Sequence, residues 1–204
     1  MLILSNWISG NRFLGLSEMQ NNAIIVRDYL MNRGWTLNAV CAVLGNMQTE
    51  SSINPGIWEN LQPTTVRDDL HGYGLVQWTP WNKYADWAGA NWQNNGDRQL
   101  ERIIYESVNG IQWFYNSQMH LSPPITFEQF THSELPIETL SDYWLYFYEH
   151  PGDPVASRQL RRNQTNYWYE YLSGHPYTPG ITTEMLLILL KRRLKRVEKR
   201  YFRR

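Results

Sequence analysis

The chain has 204 residues, a formal net charge of zero, ten Trp, 13 Tyr and one cysteine. This length suits one compact domain with a substantial core and does not clearly suffice for two. A single cysteine excludes an internal disulfide framework, and the five scattered histidines exclude a zinc-finger spacing. We therefore expect a fold that is held together by its hydrophobic core.

Charge is distributed unevenly along the chain. Residues 1–180 contain ten Lys/Arg and 17 Asp/Glu, whereas residues 181–204 contain nine Lys/Arg and two Asp/Glu. The N-terminus lacks a charged segment followed by a continuous apolar run, so no signal peptide is expected. The longest apolar run, residues 185–190, is far shorter than the roughly 20 residues that span a bilayer, and a soluble protein is predicted.

Apolar periodicity predicts a mainly helical chain. The predicted helices cover residues 17–32, 36–50, 82–90, 97–109, 111–118, 126–130, 140–149 and 156–172. Residues 173–180 are rich in helix breakers and are interpreted as a linker to a basic amphipathic helix. The predicted organisation is an N-terminal extension, a catalytic domain, a linker and a basic C-terminal segment, over residues 1–16, 17–172, 173–180 and 181–204.

The second predicted helix carries the most informative side chain. Thr36 is its expected N-cap, and Glu50 comes three residues after the last member of an apolar face formed by Val40, Val43, Leu44 and Met47. Glu50 is therefore predicted on the core side of the helix. Residues 54–56, Asn-Pro-Gly, end the helix, and the glycines of residues 72–78 favour a tight β-hairpin.

Five segments resemble the phage tail lysozyme family, and in particular the lysozyme domain of tail-knob proteins of small podoviruses. They are residues 44–61, 72–80, 109–114, 148–154 and 167–172. Their order is consistent over residues 17–172, which makes the signal more specific than a lone short motif. The resemblance implies a mainly α, α+β lysozyme-like fold, in which a helical lobe and one small β-hairpin lobe flank a cleft. A basic helix is expected after this domain.

The resemblance also implies hydrolysis of the β-1,4 bond between N-acetylmuramic acid and N-acetylglucosamine. Glu50 matches the catalytic glutamate of the family. A glycosidic oxygen leaves only when it is protonated, and an apolar environment keeps a carboxylic acid protonated at higher pH. Glu50 is accordingly predicted as the general acid, and no metal or cofactor is required.

A second catalytic carboxylate is less sharply defined by the sequence. Asp69, or its neighbour Asp68, precedes the predicted hairpin and could orient the attacking water. The alternative is that both are solvated turn residues. Glu59 is a further candidate, and some lysozyme-like enzymes operate with one glutamate.

Several side chains are predicted to contact the saccharide. Gln77 has an amide that can both donate to and accept from an N-acetyl group, and Tyr73 and Trp78 flank it. Ordinary hairpin packing is the alternative for all three. Tyr148 is interpreted as a wall of the cleft.

Two reactive side chains are assigned to structural roles. Cys41 lies in an apolar stretch with no basic partner, which argues against a thiol nucleophile. Glu149 is expected to form a structural ion pair or hydrogen bond beside Arg158 or Arg161, although a role at the catalytic end stays open.

The resemblance, together with the position of Glu50, implies a virion-associated muramidase, located at the phage tail tip or knob, that opens host peptidoglycan so that DNA can enter. Inverting hydrolysis is favoured over a transglycosylation that leaves an anhydro sugar, because no second nucleophile is evident. The alternatives are a lytic transglycosylase, a late lysis enzyme, and a non-enzymatic virion or wall-binding protein. Residues 183–204 are predicted to dock to another virion tail protein, with contact to an anionic surface or simple solvation as the alternatives.

Overall fold

The computed structural model describes residues 5–67, 70–115, 124–152 and 154–177. This part of the chain contains seven α-helices: α1 (Leu16–Met31), α2 (Leu37–Ser51), α3 (Asn82–Ala88), α4 (Gly96–Asn109), α5 (Phe127–Thr131), α6 (Ile137–Trp144) and α7 (Pro154–Ser173). A π-helical segment, Leu145–Glu149, continues α6 directly, and a short 3-10 turn spans Glu59–Leu61. The predicted mainly helical class is confirmed. None of the described helices combines the length and apolarity needed to cross a bilayer.

Helix α2 forms the centre of the molecule and packs against α1, α6 and α7. Its N-cap is the predicted Thr36, whose Oγ1 accepts a hydrogen bond from the Ala39 N–H at 3.2 Å. The helix ends at Ser51, where Ser52 adopts a left-handed backbone. Glu50 therefore lies in the last turn of the central helix.

Close packing of α2 on α7 depends on Gly45. A Cβ atom at this position would lie 2.7 Å from the Thr165 nitrogen and 2.9 Å from the Arg161 carbonyl oxygen. Only a residue without a side chain lets the two helices approach so closely. This approach brings the Arg161 side chain to the C-terminal end of α2.

Residues 72–78 form a tight turn, called the 72–78 turn below. Tyr73 and Trp78 exchange two backbone hydrogen bonds of 3.3 and 3.1 Å, but the described residues contain isolated bridges and no β-strand. The described residues therefore show a hairpin-like turn here, and the predicted β-hairpin lobe is not shown. The ladder stops because the buried Gln99 side chain accepts the Leu75 N–H at 2.8 Å, and because Gly74 and Gln77 have left-handed backbones.

Two predicted helices take a different form. Residues 111–115 are not helical, since Gln112 has a φ of 60° and the Phe114 N–H donates to the Phe147 carbonyl at 2.9 Å; residues 116–118 lie outside the described part. The predicted helix over residues 140–149 changes from α6 into the π-helical segment. Such segments replace the i→i+4 hydrogen bonds of an α-helix with i→i+5 bonds, and they are frequent at functional sites.

Both ends of the described chain pack against the helices. Near the N-terminus, Trp7 Nε1 donates to Asp97 Oδ1 at 2.9 Å, and the Leu14 N–H donates to Ser52 Oγ at 2.9 Å. Near the other end, the His175 carbonyl accepts a hydrogen bond from Arg27 of α1 at 2.6 Å. The predicted basic helix, residues 181–204, lies outside the described residues.

Candidate active site

A cleft of about 420 Å³ opens between the end of α2, the 72–78 turn and the π-helical segment. Four residues singled out from the sequence line it, namely Glu50, Gln77, Trp78 and Tyr148. They come from segments separated by up to about a hundred residues. The fold therefore brings most of the predicted site together.

Glu50 is only partly exposed to the cleft. Its side chain retains 22 % of its accessible surface, and its Oε1 accepts a hydrogen bond from Nη2 of the buried Arg161. Arg161 is fixed in turn, because its Nη1 donates to Asn46 Oδ1 at 3.0 Å. Glu50 thus has an ionic partner in the buried Arg161 side chain.

A second carboxyl group, Glu149, lines the same cleft from the π-helical segment. Its Oε1 accepts a hydrogen bond from Trp144 Nε1 at 2.6 Å. Burial and the negative charge of Glu50 raise the pKa of Glu149 well above its usual range, although Arg161 opposes this shift. Of the two arginines expected beside Glu149, Arg161 acts on it, whereas Arg158 pairs with Asp142 of α6.

The floor of the cleft is organised by a buried carboxylate on α4. Glu106 accepts hydrogen bonds from Tyr148 Oη at 2.6 Å, from Trp78 Nε1 at 3.1 Å and from Arg102 Nε at 2.8 Å. Burial raises the pKa of Glu106, and its three donors oppose the rise. Because Trp78 and Tyr148 are themselves almost fully buried, they form a rigid floor rather than freely exposed platforms.

Gln77 and Tyr73 play different roles in the 72–78 turn. Gln77 lines the cleft, and its Nε2 donates to the Gly74 carbonyl at 2.9 Å. Tyr73 is 1 % exposed and does not line the cleft. Its Oη accepts the Asn94 N–H at 2.8 Å, so the prediction that Tyr73 is a cleft residue is corrected to a packing role.

The candidates for a second carboxylate have separate outcomes. Asp68 and Asp69 lie outside the described residues. Glu59 lines the cleft, and its Oε2 accepts the Gly72 N–H at 2.8 Å, which ties it to the 72–78 turn.

With this geometry established, comparison with known proteins gives the family. Residues 21–172 match the phage tail lysozyme family. The chain belongs to this family. It is also 43% identical over 168 residues to Morphogenesis protein 1 of Bacillus phage B103, an alignment that covers 81% of this chain and 43% of that protein. This member of the phage tail lysozyme family therefore spans less than half the length of the relative.

Metal ligands and a nucleophilic thiol are the other reactive groups to locate in the described part of this phage tail lysozyme. Its residues include no group of three or more His, Cys, Asp or Glu side chains arranged to hold a metal ion. Cys41 is fully buried, and burial raises its pKa to about 12. A thiolate nucleophile is therefore not available there at neutral pH.

Sequence reasoning missed Glu106 and gave Glu149 and Arg161 no catalytic assignment. Glu106 meets Trp78 and Tyr148 across 28 and 42 residues of sequence, and Arg161 meets Glu50 across 111. Such long-range contacts leave no local periodic signal.

Proposed function

We propose that this phage tail lysozyme is a muramidase, which hydrolyses the β-1,4 bond between N-acetylmuramic acid and N-acetylglucosamine in peptidoglycan. The observation that carries the proposal is the position of Glu50 in the cleft, beside Gln77 and above the floor of Trp78 and Tyr148. Family membership supports a lysozyme-like activity.

In the proposed reaction, Glu50 is the general acid. It protonates the glycosidic oxygen while the bond to the anomeric carbon breaks, and a water molecule adds to that carbon. The Gln77 amide is suited to an N-acetyl group because it carries both a donor and an acceptor. The buried Trp78 and Tyr148 side chains form a rigid floor that fixes the shape of the cleft in which the sugar ring would bind.

Product analysis tests this reaction. The purified protein is incubated with Gram-positive peptidoglycan, and the new glycan ends are identified by mass spectrometry. The proposal predicts reducing-end N-acetylmuramic acid, which is absent from digests with Glu50→Gln. Anhydro ends would assign the chain to the lytic transglycosylases, and no cleavage by the folded protein would favour a wall-binding role.

We further propose that the protein is part of the virion, at the tail tip or knob, and opens the wall so that DNA can enter. The family description and the morphogenesis name of the Bacillus phage relative support this location. Mass spectrometry of purified virions is expected to detect the chain. Detection in lysates alone would favour a late lysis enzyme.

The basic segment, residues 183–204, is proposed to dock to another virion tail protein. Its high density of Lys and Arg beside an apolar stretch supports a docking helix, and contact with an anionic surface is the competing role. Replacing its basic residues with Gln is expected to prevent incorporation into virions and to leave the cleavage of soluble glycan fragments unchanged. Normal incorporation would contradict the docking role.

A further inference from the structure

The cleft contains two carboxyl groups that reach it from different elements. Glu50 comes from the last turn of α2, and Glu149 comes from the last residue of the π-helical segment. We propose that Glu149 is the partner of Glu50 in the active site, and that the two carboxyl groups hold one proton between them. This inference rests on the muramidase proposal and assigns the second acidic group of its site.

Glu149 is held in a fixed position. Its Oε1 accepts the 2.6 Å hydrogen bond from Trp144 Nε1, and the Trp144 ring stacks on Tyr148 with centroids 4.1 Å apart. The segment ends at His150, which has a left-handed backbone with a φ of 50°. These contacts hold the carboxyl group in the cleft, beside the neighbouring charge.

The charges around Glu149 favour a shared proton. The ionisable groups that act on it are Glu50 of α2, Arg161 of α7 and Glu106 of α4. Glu106 is already paired with Arg102, whereas Arg161 donates to Glu50. Two ionised carboxylates beside one guanidinium would leave one negative charge uncompensated in a partly desolvated cleft, and retaining one proton removes that charge.

The shared proton has a defined place in the proposed hydrolysis. Glu50 transfers a proton to the glycosidic oxygen as the bond between that oxygen and the anomeric carbon breaks. Water supplies a hydroxyl group to the anomeric carbon, and its remaining proton returns to the carboxyl pair. At rest the proton lies mainly on Glu149, so Glu149 is the reservoir from which Glu50 is protonated.

Glu149→Gln separates this role from a structural one. Glutamine has the shape of the protonated side chain and can still accept from Trp144, so a purely structural Glu149 predicts unchanged cleavage. We expect cleavage to fall by about 100-fold or more at neutral pH, with an altered pH profile. Glu134→Gln, which removes an exposed glutamate just before α6, is the matched control and is expected to behave as wild type.

A titration that does not depend on activity completes the test. Side-chain carboxyl NMR of the full chain is expected to show Glu149 titrating well above an ordinary glutamate in wild type. In Glu50→Gln its pKa is expected to fall, because the neighbouring negative charge is gone. An ordinary pKa for Glu149, or one that Glu50→Gln leaves unchanged, would overturn the inference.

The two proposals fail in different ways. If wild type cleaves peptidoglycan and Glu149→Gln cleaves within about threefold of it with the same pH profile, the proton-sharing inference is wrong and the muramidase proposal stands. If folded wild type cleaves nothing, the muramidase proposal fails. The titration then still decides whether the pair holds one proton.

Discussion

At the scale of the residue, the site depends on charged side chains that are buried and held by fixed partners. Arg161 is held between Asn46 and Glu50, and Glu106 is held by donors from three directions. Buried charges of this kind are stable only while every partner is present. Single substitutions at these positions therefore have large and specific effects.

Glu149→Gln is expected to change the pH dependence of stability. The pKa of Glu149 is raised in the folded protein, so folding favours its neutral form. Wild type therefore has its full stability below the ordinary glutamate pKa and loses stability as the pH rises toward the raised folded value. The free energy of unfolding of Glu149→Gln minus that of wild type, measured with urea, should therefore increase from pH 4 to pH 8. The same difference at both pH values would contradict this.

Tyr148→Phe is expected to destabilise the protein. It removes the 2.6 Å hydrogen bond to Glu106 and leaves a buried carboxylate with one donor fewer. A loss of about 1–3 kcal/mol in the free energy of unfolding is expected. Tyr105→Phe, at an exposed tyrosine of α4, is the control and should change stability by less than about 0.5 kcal/mol. Equal effects in urea unfolding would show that the Glu106 contact contributes nothing.

Gly45→Ala tests the packing that places Arg161. The new methyl group would lie 2.7 Å from the Thr165 nitrogen, so α7 must move away from α2. The free energy of unfolding is expected to fall by about 1–3 kcal/mol. Cleavage should also slow, because Arg161 moves away from Glu50. Gly152→Ala places a methyl group in open space and serves as the control. A variant at Gly45 with the wild-type midpoint of thermal unfolding would contradict the tight α2–α7 contact.

At the scale of the element, the 72–78 turn is fixed from behind by α4. The Gln99 side chain accepts the Leu75 N–H at 2.8 Å and donates to the Pro55 carbonyl at 2.7 Å. Ser51 at the end of α2 donates to the Leu75 carbonyl at 2.8 Å. The position of Gln77 relative to Glu50 is therefore set by buried hydrogen bonds rather than by strand pairing.

Gly74→Ala tests this arrangement. Gly74 has a φ of 82°, and a Cβ would lie 2.5 Å from Gln99 Oε1. Gly110 also has a positive φ, of 62°, but a Cβ there meets nothing within 4 Å. Both alanine variants are expected to lose about 1–2 kcal/mol of stability to backbone strain. Only Gly74→Ala should lose further stability through the clash with Gln99, and only this variant should cleave more slowly. Equal losses in the free energy of unfolding, measured with urea, would mean that the Gln99 side chain moves aside at no cost in stability.

Sequence patterns identified the helices that are determined by short-range features of the chain. The Thr36 cap and the apolar face of α2 are short-range features, and both Thr36 and the placement of Glu50 in the last turn agree with the structure. Residues 111–115 misled the same reasoning, because an irregular backbone separates their apolar side chains. Ile111, Phe114 and Tyr115 are exposed, whereas Trp113 packs against the core and donates from Nε1 to the Ile125 carbonyl at 2.9 Å.

The rest of the site could not be read from local patterns. The π-helical segment alters the register of residues 145–149, so helical spacing alone gives no reliable orientation for Glu149. Tyr73 fitted a saccharide contact by its position beside Gly72, yet its ring is buried in the aromatic cluster with Trp58 and Trp92. Tertiary packing decided both cases.

At the scale of the whole molecule, one central helix connects the core to the cleft. Helix α2 packs against α1, α6 and α7, and its last turn presents Glu50 to the cleft. The described body is acidic in composition, whereas residues 181–204 are strongly basic. This division agrees with the proposed separation of glycan cleavage from attachment.

The central claim is that Glu50 in this cleft cleaves the glycan strand, and the rate of reducing-end release from purified peptidoglycan tests it most directly. Wild type, Glu50→Gln and the control Glu134→Gln would be compared after confirming similar thermal midpoints. The account predicts release by wild type and by Glu134→Gln, and a decrease of about 100-fold or more for Glu50→Gln. Release by Glu50→Gln at the wild-type rate would contradict it.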